Sequence, residues 1–173
     1  MILTGAEIDA EVARERICIH PFDERQINPN SYNFRLGGTL LTYRADQVLD
    51  PREEPETEQW HISEDGLELT SRRLYLGSTL EVLGSEYYVP TYATRSSIAR
   101  LGLFISLSAS LGDIGFIGQW TLQLFPTVNL VVYPGMEIGQ MMWWKPHGMI
   151  ELYRGKYQNS AGPTASRISD DFF

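Results

Sequence analysis

Hydrophobic and polar positions along this chain fall into short segments divided by Gly, Pro, Ser and Asn. Near the start, Thr4 and Glu7 stand at capping-box spacing and introduce an amphipathic helix through about Arg16, with Ile8 and Val12 on one face. Apolar segments follow at 17–20 (ICIH) and 31–43 (SYNFRLGGTLLTY), the second after the turn signal Asn28-Pro29-Asn30. Tyr32, Phe34 and Leu36 alternate along it, which predicts a strand. Further on come LYLGSTLEVL (74–83), YYVPTYA (87–93), LGLFISLSAS (101–110), FIGQWTLQL (116–124) and VNLVVY (128–133). A turn at Pro134-Gly135 then leads into MEIGQMMWW (136–144). Many short strands at this spacing predict an all-β barrel or sandwich, and no strand–helix alternation implies a parallel sheet.

Along 119–124 the alternation is clean: Trp120, Leu122 and Leu124 share one face, and Gln119, Thr121 and Gln123 the other. The acidic, proline-bearing stretch 50–66 has no period and reads as a solvated loop. The tail from Arg154 to Phe173 is rich in Gly, Ser, Asn and Asp, and reads as a C-terminal arm that either frays or docks on a neighbour.

Composition adds limits. With 173 residues, 43% hydrophobic and 21% charged, the chain fits one soluble domain. No run approaches the ~18 apolar residues of a membrane span, and no basic region followed by an apolar core opens the chain, so a cytoplasmic protein without membrane contact is expected. A net charge of −8 argues against a nucleic-acid partner. It leaves room for an anionic small molecule, because Arg95 with Arg100, and Arg154 with Lys156, concentrate positive charge locally. Cys18 is the only cysteine, and His20, His61 and His147 are scattered. The His and Cys ligand set of the zinc base deaminases therefore cannot be assembled, and no zinc is expected.

Candidate chemistry concentrates in a few places. In ATRSSIARLGL (93–103), Ser96 and Ser97 stand between Arg95 and Arg100; hydroxyls, guanidinium groups and backbone N–H suit phosphate oxygens, although a polar loop would look the same. In PGMEIGQMMWW (134–144), glycines and Gln140 interrupt an apolar run, as at a bulge or a close backbone approach. Tyr153, Lys156, Tyr157 and Gln158 in the tail read either as a basic lid or as a soluble terminus. Asp113 occupies a turn between Gly112 and Gly115, ten residues before Gln123. A P-loop, a GxGxxG fingerprint and a GxSxG elbow are all missing.

Taken in order, these segments resemble the dCTP deaminase family of the trimeric dUTPase-like superfamily. The resemblance runs through NPNSYNFRLG (28–37), LGSTLE (76–81), RSSIARLGL (95–103), the D-x-G-F turn at 113–116, PGMEIGQ (134–140) and GKYQN…GPTASR (155–167). It implies a distorted β-barrel or jelly-roll-like dUTPase-type fold, assembling as a homotrimer with active sites shared between subunits and closed by the arm 154–173. It implies a pyrimidine deoxynucleoside triphosphate as the bound molecule, with Mg²⁺ on its phosphates, and deamination of dCTP to dUTP and ammonia. Arg95, Ser96, Ser97 and Arg100 match the phosphate and active-site segment, and Gln140 matches the glutamine of the PGMxIGQ motif. Tyr153 and Lys156 match tail residues that grip the triphosphate, Asp113 the acid near the sugar, and Ala109 a small residue beside the base.

Two positions depart from the family pattern. Ser160 stands where many members carry a glutamine, and Gln123 stands where the family has the glutamate that activates water and shuttles its proton. An amide cannot do that at neutral pH, and losing a general acid–base group costs about 10²–10⁴ in rate. Three readings stay open on the sequence: a deaminase site whose carboxylate was replaced to trap substrate, a catalytically silent nucleotide-binding regulator, and a dUTPase-type pyrophosphatase using Asp113.

Overall fold

The computed structural model describes residues 1–173. Helix α1 (Gly5–Ala13) opens the chain and is followed by β1 (Cys18–His20), β2 (Ile27–Asn28), β3 (Ser31–Arg35), β4 (Thr39–Tyr43), β5 (Thr57–His61), β6 (Leu67–Leu69) and β7 (Tyr75–Ser78). After β8 (Val82–Gly84) and β9 (Val89–Thr94) comes one helical turn, α2 (Ser96–Ala99), then β10 (Leu103–Phe104), β11 (Ile117–Gly118), β12 (Thr121–Pro126), β13 (Leu130–Val132) and β14 (Glu137–Trp144). The strands form sheets ordered β1-β8-β11, β10-β12-β7-β4-β5, β13-β6 and β2-β3-β14-β9. Every pairing is antiparallel. This is the all-β architecture expected from the spacing of the segments.

The sheets enclose one core in which Tyr32, Phe34, Leu122, Leu124, Ile138 and Trp143 are almost wholly removed from solvent. β12 has the alternation read from the sequence: Leu122 and Leu124 point into the core, whereas Thr121 and Gln123 are half-buried on the opposite face. β3 departs from simple alternation. Tyr32, Phe34 and Leu36 are buried as expected, but Ser31 and Asn33 are buried too, because β2 and β14 flank the strand and a polar network covers its second face. Asn33 Nδ2 donates to Glu137 Oε2 at 2.8 Å, and Asn33 Oδ1 accepts from Asn28 Nδ2 at 2.7 Å.

The expected first helix ends at Ala13 rather than near Arg16, and Thr4, although at the N-cap, makes no side-chain capping bond. A competing contact ends the helix: Glu11, fully buried, gathers Arg14, Arg16 and the Tyr88 hydroxyl, and Arg16 must leave the helical path to reach it. Residues 50–66 are not all loop, since β5 lies within them. It is an edge strand on β4 with all five residues exposed, so it has no buried face to impose alternation. The 101–110 segment is strand only at Leu103–Phe104; beyond it the chain leaves the sheet and runs past β12.

The arm lies against its own chain. Tyr153 N donates to Ile114 O at 2.7 Å, Gln158 Nε2 to Gly115 O at 2.7 Å, Gln119 N to Ser160 O at 2.8 Å, and Thr164 N to Thr121 Oγ1 at 3.0 Å. None of the helices is long and apolar enough to cross a membrane.

Candidate active site

A cleft of about 690 Å³ opens between the polar face of β12, the 109–113 turn and the arm. That volume lies within the roughly 300–1,000 Å³ of small-molecule sites. Of the residues singled out in the sequence, Ala109, Asp113, Gln123, Tyr153, Lys156 and Ser160 line it together.

Each is brought there by a local cause. Gln123 faces the cleft because the pleat of β12 sends Leu122 and Leu124 into the core. Asp113 is exposed in a turn that depends on its glycines. A Cβ at position 112 would lie 1.9 Å from Trp120 Cη2, and Gly115 has φ +95°, where a Cβ would also meet the Tyr153 nitrogen at 2.8 Å. Trp120 forms the floor of this corner, edge-on to Phe116 at 5.0 Å and to Tyr92 at 5.8 Å, with its Nε1 donating to Leu83 O at 3.0 Å. Burial pushes the Tyr92 phenol above its ordinary value, against the effect of a hydrogen bond with Ser106, so it lines the cleft as a neutral group.

The arm contributes the polar wall. Tyr153 stacks edge-on with Phe116, and its hydroxyl accepts the Tyr157 backbone N–H at 3.1 Å. Lys156 Nζ lies 2.7 Å from Asp171 Oδ1, and Asp171 itself lines the cleft. Ser160 Oγ donates to Tyr157 O at 2.7 Å. Asp171 was not legible beforehand: nothing in the tail's spacing distinguishes it from Asp170, and only the short helical turn at Ile168–Asp171 selects it.

Arg95, Ser96, Ser97, Arg100 and Gln140 do not line this cleft. They lie on the sheet β2-β3-β14-β9 and on α2, which follows β9. Ser96, Ser97 and Arg100 are exposed, Arg95 is paired with Glu137 at 2.8 Å, and Gln140 Oε1 accepts from Ser31 Oγ at 3.3 Å. Cys18 stays out of the site: burial alone raises its thiol above its ordinary value, as for a structural cysteine.

The family described as dCTP deaminase-like matches residues 2–145. The chain belongs to that family. It is 44% identical over 173 residues to a protein of Clostridium acetobutylicum named "dCTP deaminase, dUMP-forming", with 99% of each chain covered. Proteins of the same name from Clostridium beijerinckii and Cytophaga hutchinsonii are 47% and 43% identical, again over 99% of each chain. Among solved structures, the 2'-deoxycytidine 5'-triphosphate deaminase from Agrobacterium tumefaciens superposes with a TM-score of 0.67 at 21% identity, covering 86% of this chain and 49% of that one. The dCTP deaminase-like chain thus has the all-β fold expected from its motifs, shared with that deaminase structure.

Proposed function

We propose that this member of the family is a zinc-independent hydrolase of pyrimidine deoxynucleoside triphosphates. Its relatives are named as dCTP deaminases that form dUMP, and in this reading dCTP loses ammonia and then pyrophosphate to give that product. The observation that carries the reading is that Gln123 and Asp113 line one cleft with Tyr153, Lys156 and Ser160.

One water is consumed in each step. In the first, water adds to C4 of cytosine and the exocyclic amine leaves as ammonia, giving dUTP. This step needs a group beside C4 that takes a proton from water and returns it to the departing nitrogen. Gln123 occupies that place and cannot exchange a proton at neutral pH, so deamination runs about 10²–10⁴ more slowly than with a carboxylate. In the second step water attacks the phosphoanhydride and pyrophosphate leaves. The Asp113 carboxylate, exposed on the cleft, orients that water, and the step does not use residue 123.

Lys156 and Tyr153 hold the phosphates, and the arm 154–173 covers the site as part of one domain. Mg²⁺ carried on the triphosphate would find hard oxygen ligands in the phosphates, with Asp113 as a carboxylate on the cleft, and would supply neutralisation of the phosphate charge.

The active unit in this reading is a homotrimer. Arg95, Ser96, Ser97, Arg100 and Gln140 stand off the cleft of their own chain and complete that of a neighbour, with Arg100 and the serine hydroxyls against the phosphates and Ser96 near the attacking water. Support comes from the apolar surface that follows α2 in the chain: Leu101 is 53% exposed and Phe104 50%. Surface of this kind favours cover by another copy.

Incubation with dCTP and Mg²⁺, following ammonia and pyrophosphate together, tests the reading. Both products are expected, ammonia slowly. Release of neither product, by this chain or by its Gln123→Glu variant, would overturn it.

A further inference from the structure

One contact orients the side chain at position 123. Gln123 Oε1 accepts the backbone N–H of Leu107 at 3.0 Å, while the Gln123 backbone N–H donates to Ile105 O at 2.9 Å. A backbone N–H can only donate, so the amide atom that meets it is the carbonyl oxygen. The half-turn ambiguity of a glutamine amide is thereby removed by chemistry. Its other end, Nε2, carries two N–H donors and no acceptor, and Gln123 is a half-buried part of the cleft wall.

A carboxylate in the same place would give one oxygen to Leu107 and turn the other, also an acceptor, towards the cleft. The amide therefore changes one wall position from acceptor to donor. Position 4 of the pyrimidine is where the nucleotide classes differ in the same sense. Cytosine presents an amino donor there, whereas uracil and thymine present a carbonyl acceptor. A donor facing a 4-amino group leaves two donors opposed in a half-buried site; facing a 4-oxo group, it closes a hydrogen bond.

We infer that Gln123, held by the Leu107 N–H, makes the cleft selective for 4-oxo pyrimidine deoxynucleotides over 4-amino ones. The inference deepens the proposed function and rests on its placing of residue 123 beside C4. It means that the chain binds the product of deamination more firmly than it binds dCTP. The difference in dissociation constant is on the order of ten- to a hundredfold, the effect of one unpaired donor.

Equilibrium titration with the α,β-imido analogues of dUTP and dCTP, in Mg²⁺, tests it on this chain and on Gln123→Glu. Tighter binding of the dUTP analogue to the chain, with that preference lost or reversed in the variant, is the expected result. Equal binding, tighter binding of the dCTP analogue, or the same dUTP preference in Gln123→Glu overturns the inference while leaving the nucleotide site intact. Binding of neither analogue to either protein removes the site reading itself, and the inference with it.

Discussion

The ammonium of Lys156 and the carboxylate of Asp171 face each other at 2.7 Å on the wall of the cleft, so the arm's own acid holds the lysine assigned to the triphosphate. A phosphate group arriving at Lys156 has to replace that carboxylate. The pair is partly exposed, at 22% and 58% of the two side chains, and such pairs contribute about 1 kcal/mol or less. Asp171→Asn is therefore expected to tighten triphosphate binding by about two- to fivefold, read by calorimetric titration. Weaker binding in the variant would mean that Asp171 assists the nucleotide instead of competing with it.

Arg100 is exposed on α2's C-terminal side, and its replacement should leave the fold alone, within about 0.5 kcal/mol of the parent. If it meets the phosphates bound by a neighbouring copy, Arg100→Ala loses a charge-assisted hydrogen bond, and the dissociation constant rises about tenfold or more. Unchanged affinity with unchanged melting temperature would remove α2 from the site.

Asp113 and Gln123 line the same cleft, and the proposed function gives them different steps. Asp113→Asn should lower pyrophosphate release by about 10²–10⁴ while ammonia release changes little. Parallel rate measurements on dCTP and dUTP separate the two; pyrophosphate release at the parental rate would rule out Asp113 as the group that orients water.

Glu11 makes the fold acid-sensitive. Burial pushes its carboxyl up, but hydrogen bonds from Arg16, Tyr88 and Arg14 outweigh burial and bring it from the ordinary 4.5 down to about 2. Because the folded value is the lower one, the stabilisation is fully present above about 4.5 and is lost as pH falls towards about 2. The parent's melting temperature should drop across that window. Glu11→Ala should be less stable at neutral pH by about 1–3 kcal/mol, because the buried Tyr88 hydroxyl loses its partner while Arg14 and Arg16 can turn to solvent, and its acid-induced drop should be smaller. Equal acid sensitivity in both proteins would assign the effect to other carboxylates.

How far the sequence could be read depended on whether a segment has two different faces. β12 was legible because core lies on one side and the cleft on the other, which placed Gln123 on the polar side before any coordinates. β5 was not, since all five of its residues are exposed and its pairing to β4 rests on backbone hydrogen bonds with one side-chain bond, Trp60 Nε1 to Thr42 Oγ1, beside them. Residues 105–110 read as strand by composition, yet Gln123 Oε1 takes the Leu107 N–H, so a side chain replaces the ladder partner. The motifs brought Ala109, Asp113, Tyr153, Lys156 and Ser160 into consideration, and the fold gathers them with Gln123. That Arg95 to Arg100 would stand apart from them could not be read in advance, because it depends on the separate paths of β9 and β12 through different sheets.

The central claim is that position 123 is where the proton of the attacking water must be handled. The most direct measurement is the rate of ammonia release from dCTP, in Mg²⁺, by this chain and by Gln123→Glu side by side. The account predicts a rise of about 10²–10⁴ on restoring the carboxylate, with pyrophosphate release from saturating dUTP nearly unchanged. Ammonia release at the same rate in both proteins, or in neither, would contradict it.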